Sequence, residues 1–175
     1  MPALIANTTT KRRITDALFA LMHKKNFADI KITEIITLAE VSRSSFYRNY
    51  SSKENVLTAL IDEILQKFRD GREYEAIDYL SYSHVRNCFK YFKEYGSYVL
   101  DLYHSPFATM LFDELNKFHE AIAGSMPAKS VTKYSVYVYM GAMYNTAVKW
   151  LENGAVESVD DISGVFCDWL GIEAE

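Results

Sequence analysis

The fold of this chain is decided by the stretch Thr33–Lys53, TEIITLAEVSRSSFYRNYSSK. The stretch predicts a helix, a tight turn over Glu40–Ser42, and a second short helix crowded with hydroxyls, arginine and tyrosine. Ser42 or Ser44 is predicted to cap the short helix, which would end near Tyr50. This is the layout of a helix-turn-helix, in which one helix crosses the phosphate backbone and the next enters the major groove of DNA.

Helical periodicity continues on both sides of this stretch. A first helix is predicted to begin at the hydroxyls of Thr8–Thr10 and to end near Asn26. Thr33 is predicted to cap the second helix, and a fourth helix to run from Lys53 to about Asp70. Further helices are predicted over residues 83–95, 98–103, 106–124, 129–153 and about 158–170, whereas residues 72–82 are ambiguous and 125–127 form a loop.

The fold class that follows is all-α, with about nine helices in two domains. Nothing in the chain alternates convincingly with the period of two that a half-buried strand requires. A three-helix helix-turn-helix domain is predicted over residues 1–53, and a helical effector-binding and dimerisation domain over residues 54–175. A chain of 175 residues is long enough for one small and one medium domain.

The charge of the chain is unevenly distributed. The total net charge is −4, but residues 1–53 hold nine Lys and Arg against four Asp and Glu, a net charge of +5. Residues 54–175 hold ten against nineteen, a net charge of −9. A basic end on an acidic body favours an approach to a polyanion such as double-stranded DNA. Chance segregation of surface charge is the alternative.

The remaining motifs argue against several classes of function. Neither a nucleophile elbow, a P-loop nor a dinucleotide-binding glycine pattern is present, so the chain is not expected to be an enzyme or to need a cofactor. His104 and His119 could meet across helices, but the four histidines lack metal-binding spacing, so no metal site is predicted. The cysteines Cys88 and Cys167 are read as apolar residues of a reducing compartment. With no leader or membrane segment expected, the protein is predicted to be cytoplasmic.

About residues 8–60 resemble the tetracycline-repressor (TetR/AcrR) family of transcriptional regulators. The resemblance is carried by Arg13–Ala20, Ile32–Ile35, Ala39, Val41–Ser42, Ser45–Tyr50 and Ser52–Glu54. Glu40 and Ser44 depart from the family pattern, since glycine is usual at the first position and a small residue such as glycine is frequent at the second. A positive φ angle at Glu40 would strain the turn. In the body, Lys149–Gly154 resembles the end of the penultimate helix in one branch of the family.

Several roles in DNA binding are predicted for the helix-turn-helix. Thr33 can present its hydroxyl and backbone N–H groups to a phosphate, and the resemblance implies the same role for Ser45, Tyr47 and Lys53. Tyr47 could instead be a half-buried packing residue. Arg and Asn suit guanine and adenine, respectively. The best candidates for base edges or their flanking phosphates are therefore Arg43, Ser44 and Asn49.

The other positions of the short helix divide between surface and core. Arg48 is predicted either to contact phosphate or to remain a solvated surface residue. Ser42 belongs to the predicted DNA-binding set as the capping residue. Phe46 and Tyr50 are predicted to face the first and second helices and to pack in the core. One such unit reads one groove face, so useful affinity for a palindromic operator requires a homodimer.

The body is expected to hold a small-molecule effector and to form the dimer. A cavity with polar tips and adaptable walls is predicted from its tyrosines and methionines; the candidates are Tyr91, Tyr95, Tyr98, Tyr103, Met110, Tyr137, Met140 and Tyr144. The resemblance implies that an effector changes the spacing of the two DNA-binding heads. The last two helices are predicted to pair with their symmetry mates through Tyr139, Val156, Ile162, Val165, Phe166 and Trp169. For both sets, the alternative is the ordinary core of one monomer.

The function predicted from the sequence is therefore a ligand-responsive transcriptional regulator, with repression as the default sense. Activation by a regulator of the same family is one alternative, including a form that acts through a protein partner without an effector. The other is a helical enzyme or small-molecule-binding protein whose helix-turn-helix-like start is incidental. Affinity for duplex DNA that falls steeply with salt would separate the regulators from the last class.

Overall fold

A computed structural model describes residues 2–70, 80–124 and 131–172 of the chain, and every regular element in these residues is helical. The α-helices are α1 (Pro2–Met22), α2 (Ile32–Leu38), α3 (Arg43–Asn49), α4 (Lys53–Asp70), α5 (Tyr82–Glu94), α6 (Gly96–Tyr103), α7 (Ala108–Ala123), α8 (Tyr134–Glu152) and α9 (Val159–Leu170). Single 3-10 turns lie at Phe27–Asp29 and Val131–Lys133. The predicted all-α fold is confirmed.

Two predicted ends of the first helix were wrong. Helix α1 already begins at Pro2, because proline suits the first helical position and nothing between it and Thr8–Thr10 breaks the helix. Asn26 does not form a left-handed C-cap; its φ of −59° and ψ of 140° are those of extended backbone. Most of the ambiguous segment 72–82 and the predicted loop 125–127 lie outside the described residues.

The chain divides into two units, Met1–Glu63 and Ile64–Glu175. The division falls within α4, later than the boundary after residue 53 that the sequence suggested. The first turns of α4 bury Val56, Leu57 and Leu60. Among the described helices, none combines the length and apolar character that a bilayer span requires.

Four side chains from the first three helices form the centre of the N-terminal unit. Ile14 and Leu18 on α1, Ile35 on α2 and Phe46 on α3 are all fully buried. Ile14 and Leu18 are four residues apart, so they share one face of α1. Burial of each side chain stabilises the unit by about 1.5–3 kcal/mol, which is how helices of seven residues persist here although they would be marginal alone.

The body is built from helices that pack in pairs. Helix α5 packs along α9, while α7 and α6 pack along α8. Phe89 of α5 contacts both neighbouring helices, with its ring centroid 6.0 Å from that of Trp150 on α8 and 5.6 Å from that of Phe166 on α9. Both pairs meet edge to face, the geometry that the ring quadrupoles favour.

Candidate DNA-binding surface and effector cavity

Ser42, one of the two capping residues predicted from the sequence, sets the start of α3. Its Oγ accepts a hydrogen bond from the backbone N–H of Ser45 at 3.0 Å, so Ser42 is the N-cap. The Ser42 hydroxyl also donates to Oγ of Ser45 at 2.8 Å and lies 2.9 Å from Oγ of Ser44. Three hydroxyls are thereby gathered at the first turn of the helix.

The inward face of α3 holds its aromatic core residues. Phe46 is fully buried and Tyr50 is 4% exposed, so the prediction that both pack in the core is confirmed. Burial raises the pKa of Tyr50 because it disfavours the phenolate, although a hydrogen bond with Thr15 acts in the opposite direction. These two side chains orient α3 and determine which of its residues reach the surface.

The outward face of α3 is polar and cationic. Arg43, Ser44 and Arg48 are exposed, and Tyr47 is 46% exposed. The guanidinium carbon of Arg43 lies 5.5 Å from the ring centroid of Tyr47, one helical turn away, which is a cation–π distance. The face therefore offers two guanidinium groups, a phenol and a hydroxyl to a partner.

Asn49 lies at the edge of this face and is half-buried. Its side-chain amide donates to the carbonyl of Ser45 at 2.8 Å, which directs the amide back along its own helix. The amide has two N–H donors, so the bond uses only part of its capacity. Reading adenine would require a rotation of the side chain or use of the second donor and the carbonyl oxygen.

Lys53 at the start of α4 contacts the protein's own backbone. Its ammonium donates to the carbonyls of Phe27, Ala28 and Ile30 at 2.6, 3.0 and 2.8 Å, and lies 4.6 Å from the Phe27 ring centroid. An ammonium has three donors, so these bonds match its full capacity. Lys53 thus ties the start of α4 to the segment between α1 and α2, a role that its sequence position did not indicate.

The turn between α2 and α3 contains the positive φ angle that the sequence analysis identified as a source of strain. Glu40 has φ 50°, in the left-handed region that favours glycine. Arg13 on α1 donates through Nη2 to the carboxylate of Glu40 at 2.8 Å and to its carbonyl at 3.2 Å. The pair offsets part of the backbone strain and neutralises the acid in the turn.

Thr33 is exposed in the first turn of α2, but it does not cap the helix. The N-cap is Lys31, whose backbone N–H donates to the Glu34 carboxylate at 2.9 Å. Lys25 also donates to this carboxylate at 2.5 Å, and that hydrogen bond is the main reason why the pKa of Glu34 lies below its usual value. Glu34 stands three positions after Lys31, where a glutamate can accept from the N-cap backbone, so the helix begins before Thr33 and leaves it inside the first turn.

One cavity of the described body is lined almost entirely by apolar groups. Its volume is about 40 Å³, and it lies among α4, α5, α6, α7 and α8. Three of the predicted effector residues, Tyr91, Tyr95 and Met140, line it. The Tyr95 hydroxyl accepts from Lys67 at 2.7 Å, and the Tyr91 hydroxyl donates to the Lys67 carbonyl at 2.9 Å.

The other predicted effector residues are not in the lining of this cavity; they are Tyr98, Tyr103, Met110, Tyr137 and Tyr144. Tyr137 is exposed and donates to Glu120 at 2.5 Å beside a shallow surface depression. Tyr144 is buried against Phe112, with ring centroids 5.1 Å apart. Met143, one of the methionines of the body, also lines the cavity, whereas Cys88 and His119 are wall residues that the sequence did not predict.

The predicted dimer residues fall into two groups. Tyr139 and Phe166 are 2% and 4% exposed, and their ring centroids lie 5.6 Å apart within the body. By contrast, Trp169, Val165 and Val156 are 72%, 65% and 83% exposed. Ile162 is intermediate. An apolar surface is thus available on α9 and the loop before it, while Tyr139 and Phe166 close the core of the monomer.

The suggested meeting of His104 and His119 was wrong. His104 lies 3.3 Å from the carboxylate of Glu152. His119 instead faces His84, with their Nε2 atoms 3.1 Å apart and Cys88 beside them. Residues 84 and 119 are widely separated in the sequence, so no spacing rule could have paired them.

Comparison with known proteins agrees with this architecture. Residues 14–60 match the family model described as bacterial regulatory proteins, tetR family. No curated protein sequence matches the chain closely enough to establish a relative.

Several solved structures share the fold. A TetR-family transcriptional regulator from Syntrophomonas wolfei has a TM-score of 0.67 at 14% identity, covering 93% of both chains. A TetR transcriptional regulator from Streptococcus agalactiae has a TM-score of 0.63 at 20% identity, covering 97% of this chain and 98% of that one. The dihydroxyacetone kinase operon activator DhaS has a TM-score of 0.60 at 14% identity, covering 92% and 93%. At such identities the likeness concerns the fold alone.

Proposed function

We propose that this protein belongs to the tetR family of bacterial regulatory proteins, whose model its residues 14–60 match, and that it is a ligand-responsive repressor that binds a palindromic operator as a homodimer. The observation that carries the proposal is the outward face of α3, where Arg43, Ser44, Tyr47 and Arg48 are exposed within the segment that matches the family. A recognition helix needs this combination of donors and cations on one face. A dimer seated on a promoter would exclude polymerase.

The residues of the surface divide into positioning and reading roles. Ser45, Tyr47 and Thr33 are assigned to phosphates, since hydroxyl groups bind phosphate oxygens without reading sequence. Arg43, Ser44 and Asn49 are assigned to base edges or the phosphates beside them. Arg48 is assigned to a phosphate because its exposed cation lies on the same short helix. Lys53 was predicted to contact phosphate, and this requires it to release at least one of its three carbonyl partners.

Dimerisation is proposed to use the exposed apolar residues of α9 together with exposed apolar residues of α8. Val165 and Trp169 are four residues apart on α9, so they share one face, and Val138 on α8 is 61% exposed. Large exposed apolar side chains grouped in this way favour burial against a second copy. Two DNA-binding units would then meet two half-sites of one operator.

The cavity supports a small apolar effector. Its walls contain Met140 and Met143, whose flexible side chains can adjust to an occupant. A volume of about 40 Å³ holds only a few water-sized molecules, so a larger effector would have to widen the cavity. An effector that binds the widened state more tightly would shift the protein away from its DNA-binding state.

The test is binding of the full-length protein to duplex DNA from its own upstream region, measured by fluorescence anisotropy over a range of salt concentrations. We expect preference over a random duplex of equal length and an affinity that falls steeply with salt. Tyr47→Ala should weaken binding to all sequences by about tenfold, the equivalent of ~1.4 kcal/mol. Asn49→Ala should also reduce the preference for the operator.

Tyr134→Ala is the matched control, because Tyr134 is 55% exposed but lies in the body. Equal binding to operator and random DNA, or unchanged affinity in Tyr47→Ala and Asn49→Ala, would contradict the assigned surface. Transcription from the same promoter in vitro then separates repression from activation. DhaS, one of the proteins of similar fold, is described as an activator.

Dimerisation is tested independently by sedimentation of Trp169→Asp. A buried aromatic anchor commonly contributes 2 kcal/mol or more to an interface, so we expect at least a ~30-fold weaker dimer. Leu80→Asp places the same charge at another exposed apolar residue outside α8 and α9 and serves as the control. A wild-type protein that sediments as a monomer would overturn the proposed assembly.

A further inference from the structure

A cluster of three metal-ligating side chains lies buried in the body, at the contact between α5 and α7. His84 and Cys88 are one turn apart on α5, and His119 lies on α7. Their exposed fractions are 1%, 5% and 1%. One ligand atom from each residue lies within 4.8 Å of the other two. Two imidazoles and a thiol thus converge on one point inside the core of the body.

The hydrogen bonds of His119 orient it as a metal ligand is oriented. Its Nδ1 lies 2.9 Å from the carbonyl of Leu115, and a carbonyl only accepts, so Nδ1 carries the proton. In the neutral ring, Nε2 therefore carries the lone pair and accepts a hydrogen bond from Nε2 of His84, 3.1 Å away. Metal-binding histidines typically donate their second N–H to a backbone carbonyl in this way.

We propose that His84, Cys88 and His119 bind a zinc-like divalent ion. Zn²⁺ takes nitrogen ligands at about 2.0–2.1 Å and sulfur at about 2.3 Å, so tetrahedral ligand atoms lie roughly 3.3–3.6 Å apart. The two Nε2 atoms, 3.1 Å apart, are already close to this range, and the limit of 4.8 Å on the other separations exceeds it by about 1.2 Å at most. The soft thiolate and the two imidazoles favour Zn²⁺ over Mg²⁺ or Ca²⁺, which prefer oxygen ligands.

The protons of the three ligands can all be accounted for when the ion binds. In the metal-free protein, Nε2–H of His84 donates to Nε2 of His119. The ion would take both Nε2 lone pairs, so the His84 proton moves to its Nδ1 through tautomerisation. Cys88 binds as a thiolate, and its proton is released to solvent. One proton is therefore released for each ion bound.

The fourth coordination position would open towards the cavity. Cys88 and His119 both contribute to the cavity lining, together with Leu111, Leu115 and Phe118. A site with three protein ligands and one open position binds water or a donor atom of a small molecule. The proposed ion would thus place one polar anchor in an apolar cavity. This inference requires neither DNA binding nor dimerisation.

The experiment is a titration of the EDTA-treated, full-length protein with Co²⁺, which reports tetrahedral thiolate coordination by its absorption. We expect a single equivalent of Co²⁺ to produce visible ligand-field bands and a near-ultraviolet sulfur-to-cobalt charge-transfer band. Zn²⁺ should displace Co²⁺ and abolish both bands. Zn²⁺ binding to the metal-free protein should release one proton, measured by calorimetry in buffers of different ionisation enthalpy. Zn²⁺ should also raise the melting temperature of the wild-type protein, because it binds the folded state.

Matched variants locate the site. Cys88→Ser should lose the charge-transfer band and His119→Gln should lower Co²⁺ affinity at least about tenfold, the usual scale for a lost metal contact. Cys167→Ser is the control, since Cys167 is equally buried but lies on α9, and it should retain the spectrum. A folded wild-type protein that binds neither Co²⁺ nor Zn²⁺ would show that the histidines are only a hydrogen-bonded core pair. A spectrum lost in Cys167→Ser but kept in Cys88→Ser would equally overturn the assignment.

Discussion

The two units of this protein use their polar groups in opposite ways. In the N-terminal unit the polar and cationic groups of α3 point outwards, and only Phe46 and Tyr50 point inwards. In the body, histidine and tyrosine side chains lie within the core, as His84, His119 and Tyr144 show. The first arrangement prepares a surface for a charged polymer, whereas the second creates polar points inside an apolar interior, where they can hold a small ligand or ion.

The units also differ in how their short elements are held. Lys53 and Arg13 tie the N-terminal helices together through backbone carbonyls. The body relies on edge-to-face aromatic contacts around Phe89. Substitutions that destabilise only one unit, or that remove one polar group at a time, therefore test this difference between the units.

The largest effect is expected from Phe46→Ala, with Phe89→Ala as its counterpart in the body. Each removes a fully buried ring and should cost about 3–5 kcal/mol of unfolding free energy. Both tryptophans, Trp150 and Trp169, lie in the body, so tryptophan fluorescence follows the body and circular dichroism follows all helices. Phe46→Ala should shift only part of the dichroism transition in urea, leave the fluorescence midpoint unchanged and abolish DNA binding.

Phe89→Ala should move the fluorescence midpoint instead. If Phe46→Ala shifted fluorescence and dichroism equally, the two units would unfold as one cooperative block. The contrast between them would then describe their surfaces and not their stability.

A smaller effect is expected from Lys53→Ala. Loss of a charged donor that serves three carbonyls should destabilise the N-terminal unit by about 2 kcal/mol, the scale of hydrogen bonds to charged groups. Urea unfolding followed by circular dichroism measures this loss, with Lys24→Ala as a control at an exposed lysine. If Lys53 also contacts phosphate, the log–log salt slope of DNA binding should fall by about 1. Unchanged stability would contradict the structural role of Lys53.

Tyr144→Phe should stabilise the body by up to about 1 kcal/mol. The Tyr144 hydroxyl is buried, and the described part of the chain offers it no hydrogen-bond partner. Burial, with a smaller contribution from Tyr103, raises the pKa of Tyr144 to about 12. The unfolded phenol titrates near 10, so stability should fall between about pH 10 and 12, where the unfolded state loses its proton first.

In Tyr144→Phe, the contribution of Tyr144 to the fall in unfolding free energy between about pH 10 and 12 should disappear. Fluorescence-detected urea unfolding at several pH values measures this. Tyr134→Phe is the control at an exposed tyrosine. A mutant with the same alkaline slope as the wild type would show that Tyr144 does not titrate in this range.

The smallest effect is expected from Glu40→Gly. Glycine removes the left-handed strain at φ 50°, worth about 1 kcal/mol, but it also removes the exposed ion pair with Arg13, worth about 0.2–1 kcal/mol. We expect a net gain of at most about 0.8 kcal/mol in the free energy of unfolding, measured by thermal melting followed by circular dichroism. Arg13→Ala should instead lower stability, because the strain remains without its partner. A Glu40→Gly protein less stable than Arg13→Ala would mean that the ion pair outweighs the strain.

The sequence by itself determined the helical class, the helix-turn-helix and the division of α3 into inner and outer faces. These features follow from signals within a few residues, such as the Ser42 cap and the placement of Phe46 relative to Tyr47. Local hydrogen bonds and the helical period act over one or two turns, so they can be predicted from the sequence.

Only the tertiary structure decided the partners of Lys53, Arg13 and His119, and the burial of Tyr139 and Phe166. Lys53 meets a carbonyl 26 residues earlier, Arg13 meets Glu40 27 residues later, and His119 meets His84 at a separation of 35. Such contacts depend on how helices pack, and packing is set by the summed shape of many side chains rather than by any spacing along the chain. The same residue types can lie on a surface, in a core or in a ligand site, and the packing of the helices determines which of these places each residue occupies.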